Sequence, residues 1–209
     1  MGRWSVLLLI FLQAGNLVFA APGGIAPRES RMGTPAEAEK HYRNGLRHRD
    51  AAWVYEEKMS GTKDAKDRAA YAQFIQRTYL RALEEFKKAT EIDPEFYQAF
   101  GSLGYVYRKT GDVDAALGAY GQALSLNPSY AEAIEYRAEA YLELGRIEDA
   151  KQAYEVVAPL KPAYAVRLLQ FAEGIAGQMA DDEKRQDLLA WVADKREKLG
   201  DVKEVIEKW

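Results

Sequence analysis

Residues 100–128 read FGSLGYVYRKTGDVDAALGAYGQALSLNP, and their pattern of glycine, alanine, tyrosine and proline recurs along the chain. Tyr107 and Tyr141 are 34 residues apart, and the same step relates the other landmarks of the stretch. An internal repeat of this length predicts an array of stacked units. The landmarks Tyr107, Gly111, Ala116, Tyr120 and Pro128 become Tyr141, Gly145, Ala150, Tyr154 and Pro162 one period later, and Ala82, Phe86, Ala89 and Pro94 stand one period earlier.

Each unit is predicted to be a pair of antiparallel helices. Gly104, and Ala138 in the next unit, would let the first helix approach the second closely. Gly111 and Gly145 would end the first helix in a left-handed conformation, which glycine adopts without steric cost.

Prolines mark the junctions between units. In Asp93-Pro94 and Asn127-Pro128 we expect the acidic or amide side chain to cap a helix whose first residue is the proline. Pro159 is expected to break the last turn of its helix.

The pattern closely resembles the tetratricopeptide repeat, W-x2-L-G-x2-Y followed by A-x3-F and P. Residues 97–130 match it with Phe100 in the place of the tryptophan and Tyr120 in the place of the phenylalanine. Residues 131–164 match less well, because Arg137 replaces the leucine and Val157 replaces an alanine. The resemblance implies an all-α fold, a short right-handed α-α superhelix of about three tetratricopeptide-like hairpins with C-terminal capping helices.

The first hairpin, residues 35–96, is predicted to be elongated. Counting from Gly45, the closing proline should fall at position 69 but falls at Pro94, about seven helical turns later. The two helices would span 36–59 and 64–92, with a turn at 60–62. The hairpin would protrude from the stack, with these residues near its tip: Trp53, Val54, Tyr55, Tyr71 and Phe74.

The two ends of the chain differ from the repeats. Residues 1–20 combine Arg3, an apolar run and small residues before Ala21, which is typical of a cleaved secretory signal. Residues 21–34 would be a flexible leader, and Thr34 to Glu37 would form a capping box at the first helix. Residues 165–209 are predicted to be a helical cap, with Trp209 on the apolar face of a final short helix.

Composition excludes several chemistries. The chain has no cysteine, so disulfides, zinc–thiolate sites and a thiol nucleophile are excluded. Its 29 basic and 32 acidic side chains give no general footprint for nucleic acid or an anionic membrane. His41 and His48 are seven positions apart with no third ligand placed by spacing, so we expect no metal site, no cofactor and no catalytic residues.

A partner-binding groove is the favoured site. The resemblance places it on the stripe of each first helix that faces away from the packed residues. The predicted groove residues are Tyr42, Arg43, Arg49, Gln98, Ser102, Tyr105, Arg108, Lys109, Glu132, Glu135, Tyr136, Glu139 and Glu143.

The charges of this groove shape the expected partner. The stripe is basic around Arg43, Arg49 and Arg108 and acidic from Glu132 to Glu143, so a dipolar or basic-ended segment would suit it. Family members that clamp a C-terminal carboxylate use lysine, asparagine and arginine, and the glutamates here argue against that ligand.

The sequence therefore predicts an exported, periplasmic or secreted, non-catalytic adaptor or assembly factor of the bacterial envelope. It would bind a protein or peptide segment, with no nucleic acid and with membrane contact only through secretion. The alternative is a scaffold that self-associates through the hairpin tip or through Trp191 and Trp209. An enzyme is the least favoured class.

Overall fold

A computed structural model describes residues 33–200, and all secondary structure in that range is α-helical. The predicted signal segment, nearly all of the predicted leader and the predicted helix bearing Trp209 lie outside the described residues. The helices are α1 (Pro35–Gly61), α2 (Ala65–Ile92), α3 (Tyr97–Lys109), α4 (Val113–Leu126), α5 (Ala131–Glu143), α6 (Ile147–Leu160), α7 (Pro162–Ala176) and α8 (Asp182–Leu199).

The helices pair in chain order into four hairpins, α1 with α2, α3 with α4, α5 with α6 and α7 with α8. Helix α7 also packs against both α5 and α6, as the first helix of a further unit would. The segment predicted to be a cap is thus itself a hairpin, and its first helix begins at Pro162 rather than at residue 165.

The first hairpin is long, as predicted, and its ends follow local signals. Helix α1 has 27 residues and α2 has 28, against 13 and 14 for α3 and α4. The capping box forms, because the Glu37 amide donates to the Thr34 hydroxyl at 3.2 Å and the Thr34 amide donates to the Glu37 carboxylate at 2.7 Å. Asp64 caps α2 by accepting from two amides of its first turn.

Small residues sit where helices cross. A Cβ on Gly45 would lie 2.5 Å from the Phe86 ring, and one on Gly104 would lie 2.6 Å from the Tyr120 ring. Both aromatic side chains are fully buried. Gly111 and Gly145 have φ values of +93° and +70°, which confirms the left-handed turns after α3 and α5.

The prediction for the proline junctions was wrong. Asp93 and Asn127 end helices instead of beginning them, and their side chains accept from the amides of Glu95 and Ser129, two residues on. Pro94 and Pro128 therefore lie in turns. These turns form because an aspartate or asparagine side chain binds the backbone two residues later as readily as it caps a helix.

Pro159 does not break α6, which continues to Leu160. A proline removes one backbone donor, and at Pro159 the affected carbonyl is that of the exposed Glu155, where water is available. The Lys161 amide still donates to the Val157 carbonyl at 2.8 Å, so the helix end is kept.

Candidate interaction groove

The first helices α1, α3, α5 and α7 form a common surface, here called the first-helix face. Helix α3 contacts α1 on one side and α5 on the other, and α5 contacts α7. The predicted groove residues lie on or beside these helices, and the structure brings only part of them together.

A row of aromatic side chains crosses the boundaries between hairpins on the first-helix face. The Trp53 indole donates a hydrogen bond of 2.6 Å to the Tyr105 hydroxyl, and the two rings meet edge to face with centroids 5.7 Å apart. The Tyr105 and Tyr136 ring centroids are 5.0 Å apart. Trp53, at one end of the row, is 36% exposed and accessible to a partner, whereas Tyr105 in the middle is buried.

The position of Trp53 differs from the one predicted from the sequence. It was expected near the free tip of the long hairpin, whereas it contacts the second hairpin through Tyr105. Nearer the turn of the hairpin, Tyr55 on α1 contacts both Tyr71 and Phe74 on α2.

Arg108 ties the first-helix face together from α3. Its guanidinium forms hydrogen-bonded ion pairs with Glu139, and with Glu143 at 2.7 Å, although only 6% of its side chain is exposed. The same group lies 5.5 Å from the ring centroid of Phe171 on α7 and 5.8 Å from that of Tyr136 on α5. Burial raises the pKa of Glu139, and the charge of Arg108 opposes that rise.

Glu135 and Arg167 form a second pair, between α5 and α7. Arg167 donates through Nε to Glu135 at 2.7 Å and also through its terminal nitrogen. The Glu135 side chain is 1% exposed and that of Arg167 is 48% exposed. Burial raises the pKa of Glu135 to about 7, against the opposing effect of the Arg167 hydrogen bonds and charge. Arg167 is held over the Tyr164 ring, 4.2 Å from its centroid.

Two more predicted groove cations are paired at the α1 side. Lys109 lies 2.7 Å from Glu56, which also accepts a 3.0 Å hydrogen bond from the Tyr79 hydroxyl. Arg49 pairs with Asp50 at 2.8 Å and lies over the Trp53 ring.

The remaining predicted residues extend the first-helix face on the side of α1. Tyr42 packs between the rings of Phe86 and Phe96 and also interacts with Ser102, Arg49 and Glu132. Arg43 is exposed beside Glu39, and Glu132 accepts from the Tyr130 hydroxyl at 3.0 Å. Ser102 is buried and Gln98 is half-buried.

The predicted gradient from basic to acidic is therefore not a gradient of free charge. Arg108 forms ion pairs with both Glu139 and Glu143, and Arg167 forms one with Glu135. The first-helix face presents aromatic rings and paired charges.

Arg167 and Phe171 are contributors that the sequence analysis missed. A signal for them exists, because the 34-residue step that relates Gly104 to Ala138 leads on to Ala172, which is fully buried. Extending the repeat by that one step would have identified α7 as a further first helix.

Metal and membrane features can be stated for residues 33–200. Among them, no three histidine or carboxylate side chains are grouped so as to hold a metal ion. No helix in this part of the chain is both long and apolar enough to span a bilayer. His41 is accounted for by a 2.9 Å contact with Glu85 between α1 and α2.

Many solved structures resemble the chain, among them three at 20–22% identity. The first tetratricopeptide domain of Spaghetti (RPAP3), bound to the HSP90 peptide SRMEEVD, is 22% identical with a TM-score of 0.45, covering 65% of this chain and 95% of its own. A crystal structure of MamA is 22% identical with a TM-score of 0.45, covering 77% and 95%. A second MamA structure is 20% identical with a TM-score of 0.46, covering 79% and 94%.

Comparison with protein families locates the repeat more directly. No curated protein matches the chain. Residues 102–165, which run from α3 into α7, match the family described as tetratricopeptide repeat. The match therefore covers most of the hairpins α3–α4 and α5–α6 of an all-α chain.

Proposed function

We propose that the chain is a non-catalytic module that binds a segment of a partner protein along the first-helix face. One observation carries the proposal, namely the row of Trp53, Tyr105 and Tyr136 across three hairpins. Tryptophan, tyrosine and arginine supply most of the binding energy in protein interfaces, and this row sets them side by side.

The ion pairs beneath the row favour binding by holding it in place. Lys109 on α3 pairs with Glu56 on α1, Arg108 links α3 to α5, and Glu135 links α5 to α7 through Arg167. The four first helices are thus joined by contacts of their own. A surface that is already ordered loses little side-chain entropy when a partner docks. Because its charges are largely paired, the face would select the partner by shape and aromatic contact more than by net charge.

Site-specific crosslinking tests this function. A photo-crosslinking residue at Gln98 on α3 should capture a partner from an envelope extract, and the same residue at Leu189 on α8 should not. Trp53→Ala should reduce that capture, because it removes the accessible end of the row. The matched control is Leu189→Ala, which removes a side chain that is 41% exposed on α8, the second helix of the last hairpin. Equal capture from both positions, or capture unaffected by Trp53→Ala, would contradict the proposal.

An envelope location is the second part of the proposal, and the signal-like residues 1–20 support it. The mature protein should then begin at Ala21 and fractionate with the periplasm or the medium. Mass measurement of the natural protein decides this, since an intact Met1 terminus in the cytoplasmic fraction would refute export.

Self-association remains the competing function. Trp191, one of its proposed contacts, packs edge to face on the buried Tyr154 with ring centroids 5.3 Å apart. A solution mass that stays monomeric over a wide concentration range favours the adaptor over the scaffold.

A further inference from the structure

A cleft of about 520 Å³ opens between α4 and α6, away from the aromatic row of the first-helix face, and α5 forms its floor. Both second helices pack against α5, and residues of all three helices line the cleft. The lining residues that matter here are Gly121 and Ser125 from α4, Arg137 and Tyr141 from α5, and Gln152 and Val156 from α6.

Arg137 supplies an uncompensated charge to this cleft. It stands where the repeat pattern has leucine, and its half-buried side chain contacts the Tyr141 ring at 5.9 Å from the centroid. Its Nε is buried without a hydrogen-bond partner, and no carboxylate within residues 33–200 forms an ion pair with it. The half-buried guanidinium therefore carries a charge with no ion-pair partner in this part of the chain, and its terminal nitrogens can bind an anion in the cleft.

The neighbouring charges do not cancel that of Arg137. Asp149 also lines the cleft, but it accepts from Arg146 at 2.9 Å. The Arg146 guanidinium lies 4.4 Å from the centroid of the Tyr141 ring, on the same wall. The two arginines and one aspartate leave a net charge of about +1 at the cleft.

Gly121 leaves the α4 side of the cleft without a side chain at this position. A Cβ on this glycine would meet nothing within 4 Å, so packing does not require glycine there. Glycine inside a helix weakens the helix, and its common use is to let another group approach the backbone closely. A bound ligand in the cleft would explain both the missing side chain at Gly121 and the unpaired charge of Arg137.

We propose that this cleft binds an acidic side chain of a partner protein segment, with Arg137 as its ion-pair partner. The guanidinium can take a carboxylate through two parallel hydrogen bonds, and Ser125 and Gln152 offer further polar groups. Val156 is 49% exposed at the rim and would pack on an apolar residue next to the acidic one. This site is separate from the proposed groove and does not depend on it.

A peptide titration followed by NMR of the 15N-labelled protein tests the site. The probes are the capped peptides acetyl-Ala-Leu-Glu-Leu-Ala-amide and acetyl-Ala-Leu-Gln-Leu-Ala-amide. The glutamate peptide should shift amide signals around Arg137 and Gly121 and bind at least about tenfold more tightly than the glutamine peptide. Equal affinity for the two peptides, or no shifts at millimolar concentration, would overturn the proposal.

Substitutions locate the interaction. Arg137→Leu restores the residue of the repeat pattern, so the variant should fold and lose the preference for glutamate. Arg81→Leu removes an equal charge from the exposed surface of α2 and should leave binding unchanged. Gly121→Glu should block the cleft by pairing with Arg137 internally. Retained glutamate preference in Arg137→Leu would refute the site.

The outcome is also separable from that of the proposed function. Trp53→Ala, which should impair capture at the first-helix face, should leave binding of the glutamate peptide unchanged. Loss of peptide binding in Trp53→Ala would contradict the independence of the two sites.

Discussion

Arg108 and Glu139 form an ion pair across the boundary between the second and third hairpins, with 6% and 11% of their side chains exposed. The pair is thus largely removed from water, although both residues belong to helix faces that sequence analysis assigns to a solvated groove. Two desolvated charges depend on each other, because each offsets the cost of burying its partner.

Removing one member of this pair should destabilise the protein strongly. We expect Arg108→Met to lower the free energy of unfolding by about 3 kcal/mol, since Glu139 would remain buried without its partner. Urea denaturation monitored by circular dichroism measures this.

The double variant Arg108→Met, Glu139→Leu is the informative companion. It removes both charges, so it should recover much of the loss caused by the single substitution. A single variant within about 0.5 kcal/mol of the unmodified protein would contradict a buried, interdependent pair.

Glycine-to-alanine substitutions at two helical sites should change the stability of the protein in opposite directions. Gly104→Ala would place a methyl group 2.6 Å from the Tyr120 ring and should destabilise by about 1–3 kcal/mol through overpacking. Gly121→Ala meets nothing within 4 Å and should stabilise by up to about 1 kcal/mol through helix propensity. Thermal or urea unfolding of the two variants checks this, and changes of equal sign would show that Gly104 is not at a close helix crossing.

Glu135 should make stability fall as the pH rises from about 4.5 to about 7. Burial raises its folded-state pKa to about 7, from an ordinary value of 4.5. Between these values the folded protein holds a proton that the unfolded chain has released, so rising pH favours unfolding. In Glu135→Gln this decline should be reduced, as measured by urea denaturation across the interval.

Glu85 provides a control with the opposite sign. Burial would raise its pKa, but hydrogen bonds from His41, Asn44 and Lys88 outweigh burial and lower the pKa to about 2. Its stabilising contribution is therefore present above pH 4.5 and lost as the pH falls toward 2. A pH profile that changes identically in Glu135→Gln and Glu85→Gln would refute both assignments.

Local signals explain why the helices could be predicted from sequence. The capping box at Thr34, the break between residues 60 and 64 and the left-handed glycines at 111 and 145 each act over a few residues. The structure reproduces them almost residue by residue. The structure of the junctions at Asp93 and Asn127 was harder to predict, because an aspartate or asparagine side chain can either cap a helix or close a turn.

The electrostatics of the first-helix face could not be predicted in this way. Glu135 and its partner Arg167 are 32 positions apart, and their contact depends on how α7 rotates against α5. Arg108 reaches Glu139 and Glu143 for the same reason. Periodicity identifies the exposed stripe of one helix, but the ion pairs depend on the packing angle between two helices.

The length of the first hairpin determines how far its tip lies from the stacked hairpins. At about 1.5 Å per residue, α1 and α2 each extend about 40 Å, roughly twice the length of α3. The insertion is close to a whole number of turns, so it lengthens the arms while preserving the angle at which Gly45 meets Phe86. An insertion that adds one helical turn to each arm would therefore move the turn at residue 61 about 5.4 Å farther from the stack without altering the surface at its base.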